Sequence, residues 1–294
     1  MFKRVILFLI TNAAILLLLT LTMQLFGVSG YLDESGIGID FKGLLVFAGV
    51  IGFGGSLISL AMSKWSAKFA TGAKIIEDPA NEQEQWILEM VQQQSLKANI
   101  GMPDVAVYAS SDINAFATGM NRNNALVAVS TGLMDKMNRH EAEAVLAHEI
   151  SHIVNGDMIT LALIQGVINT FVFILARLFG HFVDRVIFKN QRGHGIAFWV
   201  TTIMAEIVLA VLASIIVMWF SRQREFRADA GAASLVGKEK MIAALQKLQE
   251  VYQPSQLPDQ MRAFGVSGGQ GQGLRRLFSS HPPLNERIQA LHNN

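Results

Sequence analysis

The chain has 294 residues, 51% of them hydrophobic and 16% charged, against about 25% charged in an ordinary soluble domain. That excludes a disordered chain, which needs little apolar content and much charge. A formal net charge of +1 with no long Lys/Arg cluster argues against a nucleic-acid partner. With no cysteine, any metal must rest on histidine and carboxylate.

The apolar runs come first in chain order. Val5 to Phe26, preceded by Lys3 and Arg4, is too long for a signal-peptide core and ends without a small-residue cleavage pattern, so it reads as an uncleaved anchor. After a polar link from Ser29 to Asp40, a second span is expected from Leu44 to Met62. Its glycines and serines suit close packing between membrane helices, because no strand precedes them as a phosphate loop would require. Lys64, Lys68 and Lys74 follow directly, and the positive-inside rule places them and the N-terminus in the cytoplasm. Two further runs, Ile159–Phe179 and Ile196–Phe220, form a second hydrophobic hairpin that either crosses fully or sits partly embedded. Glu206 within it is costly in lipid, and either lines a wet cavity or pairs with Arg177.

The polar remainder reads as α+β. Apolar spacing predicts a helix from Asn81 to Ala98, then short strands at Val105–Tyr108, Ala115–Thr118 and Leu126–Val129. A helix is expected from Arg224 through about Leu248, a flexible Gly/Gln-rich loop at 267–273, and a terminal helix from about Pro283. Four regions result: a transmembrane hairpin (1–63), a cytoplasmic region (64–157), the second hairpin (158–221) and a cytoplasmic C-terminal part (222–294).

His148-Glu149-Ile150-Ser151-His152 is an H-E-x-x-H sequence. Asn138 with Glu141 gives a capping-box start and Gly156 a natural stop, so the motif falls on a helix. Residues four apart lie about 400° around the axis, so the two imidazoles share one face and can bind one zinc ion. Glu149, about 100° away, suits a general base acting on a zinc-bound water.

A catalytic zinc site needs a third protein ligand and one open position. A third histidine six residues beyond His152 is ruled out because position 158 is Met158. Glu225 and Asp229 are four apart on one helix face, just past a hairpin that returns the chain to its starting side. One can ligate zinc while the other accepts a hydrogen bond from a ligand histidine, with Glu225 the preferred ligand. Asn114–Thr118 is short and β-capable, so it is either an ordinary edge strand or one that holds an extended substrate.

Four sequence elements carry a family resemblance: Asn114-Ala115-Phe116-Ala117-Thr118-Gly119, the His148–His152 motif, Glu225-Phe226-Arg227-Ala228-Asp229, and Ser280-His281-Pro282-Pro283 with Arg287. Together with the two-hairpin layout they resemble the HtpX family of heat-shock membrane zinc metalloproteases, more distantly the CAAX proteases of the Ste24 type. The resemblance implies a mainly α membrane protein, two transmembrane hairpins plus a cytoplasmic α+β zincin-like domain with a small β-sheet. It implies one Zn2+ held by His148, His152 and Glu225, with Glu149 as base and Asp229 behind the ligands. Asn114 would lie on an edge strand beside the cleft, and His281 and Arg287 near the substrate carbonyl. It further implies damaged or misassembled membrane proteins as substrates, and a multi-pass place in a bacterial inner membrane with the site facing the cytoplasm. A narrow-specificity CAAX-type processing protease and a non-catalytic zinc-binding scaffold are the alternatives.

Overall fold

The computed structural model describes residues 41–190, 194–252 and 277–293. The anchor expected at Val5–Phe26 and the loop at 267–273 lie outside them. In chain order the elements are α1 (Phe41–Ala61), α2 (Ser63–Thr71), β1 (Lys74–Ile75), α3 (Glu82–Lys97), β2 (Asp104–Tyr108), β3 (Ala115–Asn121), β4 (Asn124–Ser130), α4 (Thr131–Lys136) and α5 (Arg139–Asn155). There follow α6 (Asp157–Phe182), a π-helical turn (Val183–Ile187), α7 (Ile196–Val236), α8 (Lys238–Tyr252) and α9 (Leu284–Asn293). The chain divides into two compact units, residues 1–58 with 162–216, and residues 59–161 with 217–294.

The described part of the first unit is helical. Among the described residues three helices are long and apolar enough to cross a membrane: Gly43–Ala61, Asp157–Ile187 and Ile196–Val236. Small residues let α1 approach α6 closely: a Cβ on Gly52 would collide with Thr170, and one on Gly166 would meet Ser56 Oγ at 2.8 Å. Among the described residues nothing lies within 4 Å of a Cβ at Gly49, Gly54 or Gly55, so of these four only Gly52 makes that approach there. Glu206 takes the paired option: Arg177 Nη1 donates to its Oε1 at 2.6 Å, with the guanidinium over Phe173.

The second unit holds a four-stranded sheet of order β1-β2-β4-β3. β2 and β4 are parallel, and the outer pairs β1–β2 and β3–β4 antiparallel. The central strand β4 is buried from Ala125 to Ser130, as a strand covered on both faces must be. Ile87 and Val91 of α3 and Leu146, Ile150 and Ile153 of α5 pack on one face, against Val105, Val127 and Val129. A second cluster joins the small-residue face of α5, Ala144 and Ala147, to Ala232 of α7 and Met241, Ala244 and Leu245 of α8. Helix α5 is therefore clamped on two sides, leaving its histidine face to other partners.

One element differs from the sequence expectation. No separate helix begins near Arg224; α7 runs without a break from Ile196 to Val236. The polar residues beyond Phe220 include no proline, and nothing stops the helix until Gly237, whose φ of 102° permits the turn into α8. Glu225 and Asp229 thus stand on the same helix as the apolar run.

Candidate metal centre

Helix α5 starts and stops where its sequence dictates. The Asn138 side chain accepts from the backbone N–H groups of His140 and Glu141, and Glu141 accepts in return from the Asn138 backbone N–H. Gly156, left-handed at φ 64°, ends the helix. Between them His148, Glu149 and His152 come to one side, with His148 and Glu149 buried.

Helix α7 brings the carboxylates alongside. His148 Nε2 lies 3.5 Å from Glu225 Oε2 and His152 Nε2 3.4 Å from Glu225 Oε1, and the two Nε2 atoms are 3.1 Å apart. Donor atoms each about 2.0–2.1 Å from one tetrahedral ion stand about 3.3–3.4 Å from each other, so this spacing matches a shared cation. Two imidazole nitrogens and a carboxylate oxygen also match the donor preference of zinc. Among the described residues, these three form a group of side chains that could hold a metal ion.

The outer nitrogens are engaged as well. His148 Nδ1 is 2.9 Å from Asp229 Oδ1, and His152 Nδ1 is 2.7 Å from Asp157 Oδ2. Ionised carboxylates only accept hydrogen bonds, so each Nδ1 carries the proton and each Nε2 faces Glu225. Arg287 holds Asp229 through two hydrogen bonds, Nε to Oδ2 at 2.8 Å and Nη2 to Oδ1 at 2.6 Å, and its Nη1 is 3.4 Å from Glu225 Oε2. His281, with 64% of its side chain exposed, places Nδ1 2.7 Å from Glu225 Oε2.

Burial works against charge on the histidines, but carboxylates outweigh it. His148 is pulled down by burial and raised, on balance, by Asp229 and Glu225. His152 likewise ends pushed up to about 10, through Asp157 and Glu225. Burial pushes the Glu149 carboxyl above its ordinary range, in spite of the nearby histidines.

Beside these groups lies a cavity of about 810 Å3. His148, Glu149, Glu225, His281, Arg287 and Asn114 contribute its polar wall, while Ile113, Val145, Met241, Leu245 and Leu248 help to make the rest apolar. Asn114 directly precedes the edge strand β3, its N–H donating to Ser130 Oγ and its carbonyl accepting from Ser130 N. Of the eight residues singled out from the sequence, Asn114, His148, Glu149, Glu225, His281 and Arg287 line this cavity, while His152 and Asp229 lie behind it against Glu225 and His148. Asp157 was missed. Its signal was a carboxylate immediately after the helix-stopping Gly156, five residues beyond His152.

Residues 81–294 match the model of peptidase family M48. The chain belongs to peptidase family M48. Protease HtpX of Thioalkalivibrio sulfidiphilus is 65% identical over 98% of both chains, and a Protease HtpX homolog of Nitrosomonas europaea 64% identical over 99% of both. The crystal structure of S. mikatae Ste24p has the same fold, with a TM-score of 0.62 at 19% identity, covering 97% of this chain and 67% of that one. This M48 chain is thus a metalloprotease with helices able to span a membrane, and His148, His152 and Glu225 are a group that could hold a metal ion.

Proposed function

We propose that the chain is a zinc-dependent endopeptidase in which His148, His152 and Glu225 hold one Zn2+ and Glu149 is the general base. The observation that carries this is the convergence of the two Nε2 atoms, 3.1 Å apart, on the Glu225 carboxylate, His148 Nε2 3.5 Å from Oε2 and His152 Nε2 3.4 Å from Oε1, beside a cavity that Glu149 also lines. Bound zinc supplies Lewis-acid chemistry, polarising a scissile carbonyl and lowering the pKa of a water to about 7. Glu149 takes the proton of the attacking water and delivers it to the leaving amine, and a carboxyl raised by burial is suited to both steps. His281, largely exposed at the cavity wall, donates to the developing oxyanion. Arg287 acts through Asp229, which fixes His148, and keeps positive charge beside Glu225 and the substrate carbonyl. Asn114 leads into β3, whose outer edge lends main-chain hydrogen bonds to an extended substrate.

The protease domain combines 64–157 with 222–294, while 1–63 and 158–221 supply the membrane hairpins. The basic residues Lys64, Lys68, Arg222, Arg224 and Arg227 flank the apolar runs on the catalytic side, which supports a cytoplasm-facing site in a bacterial inner membrane. The family resemblance supports quality control of damaged or misfolded membrane proteins under stress. A non-catalytic scaffold has no use for Glu149 in the cavity, and a structural zinc would have four protein ligands.

The test is Glu149→Gln in the full chain in detergent. It is expected to retain zinc but lose cleavage of casein, whereas Glu225→Ala is expected to lose zinc. Undiminished cleavage by Glu149→Gln would remove Glu149 as the base, and a full zinc complement in Glu225→Ala would remove Glu225 as a ligand.

A further inference from the structure

We propose that Asp157 is the positioning residue for His152, its buried carboxylate fixing the tautomer and tilt of the imidazole so that Nε2 faces Glu225 and His148. This rests on the metal reading above and adds to it a residue from a different helix.

The contact is short and the carboxylate has little else to do. Asp157 is 1% exposed, and its Oδ2 lies 2.7 Å from His152 Nδ1. Its other oxygen is 3.9 Å from Nη2 of the exposed Arg227, and Arg224 donates to the Asp157 backbone carbonyl rather than to the carboxylate. A buried carboxylate with so little neutralisation is costly unless its one close contact is itself useful.

The backbone is arranged to make that contact. In an uninterrupted helix a residue five positions on lies about 140° around the axis and about 7.5 Å further along, out of reach of the histidine. Gly156 breaks α5 in the left-handed region, at φ 64° and ψ 37°, and the chain re-enters a helix at Asp157. That single glycine converts an unreachable spacing into a hydrogen bond.

The result is a matched pair. Asp229 reaches His148 from the C-terminal part of α7, and Asp157 reaches His152 from the first residue of α6, each at Nδ1. A carboxylate at Nδ1 orients a ligand imidazole and raises its basicity toward the metal. Without Asp157 the His152 ring would be free to rotate or to place its proton on Nε2, which cannot then bind.

The experiment uses full-length Asp157→Ala and Asp157→Asn in detergent, with zinc affinity read by competition against a chelating dye. The visible absorption of the cobalt-loaded protein and the melting midpoint of the metal-free protein are read alongside. Asp157→Ala is expected to weaken zinc binding about 10–100-fold and to shift the cobalt band. Asp157→Asn keeps an acceptor at nearly the same place, so it is expected to recover part of the affinity. It also carries the test should the alanine variant fail to fold. Wild-type zinc affinity and an unchanged cobalt band in both variants would overturn the proposal, even with a lowered metal-free midpoint, since that would leave Asp157 only a helix-start residue. Failure of the underlying metal reading looks different: His152→Ala would then bind zinc as tightly as the wild type.

Discussion

Gly231 on α7 faces Ser151 on α5 so closely that a Cβ at position 231 would stand 2.7 Å from the Ser151 Oγ and 2.9 Å from its Cβ. Ser151 is itself fixed, its hydroxyl donating to the Ala147 carbonyl at 2.7 Å. Position 231 is two residues beyond Asp229 and six beyond Glu225, so this approach sets how near both carboxylates come to the histidine face. Gly231→Val should therefore cost about 1–3 kcal/mol by overpacking. It should also weaken zinc binding by pushing α7 off α5, with Gly231→Ala milder on both counts. Urea unfolding of the metal-free protein and a zinc titration check this. A variant that loses stability but binds zinc normally would show that the two helices do not set the ligand spacing.

What the sequence disclosed follows from which interactions are local. The helix carrying His148 and His152 was legible because its start, its stop and the spacing of its histidines lie within 19 residues, Asn138 to Gly156. Glu225 was legible because it stands four residues before a second carboxylate, just past an apolar hairpin that brings the chain back to its starting side. Asp157 was not, because its contact depends on a left-handed turn at Gly156 that the pattern alone reads merely as a helix end. The continuity of α7 through Arg224 was missed for a related reason. A change from apolar to polar residues looks like a boundary, although a helix backbone does not end where its solvent changes. The bond between Arg287 and Asp229 joins residues 58 apart and has no local signature.

That bond supports a second prediction. Arg287 is 6% exposed and spends two donors on Asp229, which in turn holds His148. Removing one partner of a buried pair strands the other charge, at a cost of about 3–5 kcal/mol. Because His148 still faces Asp229, Arg287→Ala is expected near the lower end of that range, with weaker zinc binding. Arg287→Lys should recover little, since an ammonium cannot reproduce the two-pronged contact. Adding Asp229→Asn to Arg287→Ala should cost less than the sum of the two single changes. Strict additivity in chemical denaturation would mean that the pair contributes nothing as a unit.

The third prediction concerns pH in the metal-free protein. Burial alone would pull His152 below its ordinary value, yet Asp157 and Glu225 accept its hydrogen bonds and hold it up to about 10; His148 moves in the same direction. The unfolded chain releases this proton near 6.5. A group bound more tightly to its proton when folded contributes stability that is fully present below about pH 6.5 and is lost as pH rises toward 10. The melting midpoint of chelator-treated protein should therefore fall between pH 6.5 and 10 by more than that of chelator-treated His152→Ala. Zinc requires the same nitrogens free of protons, so its uptake should release protons and its affinity should increase with pH. Calorimetry in two buffers of different ionisation enthalpy measures that release directly. Zinc uptake with no proton released, or equal slopes in wild type and variant, would mean that these imidazoles are already neutral before metal arrives.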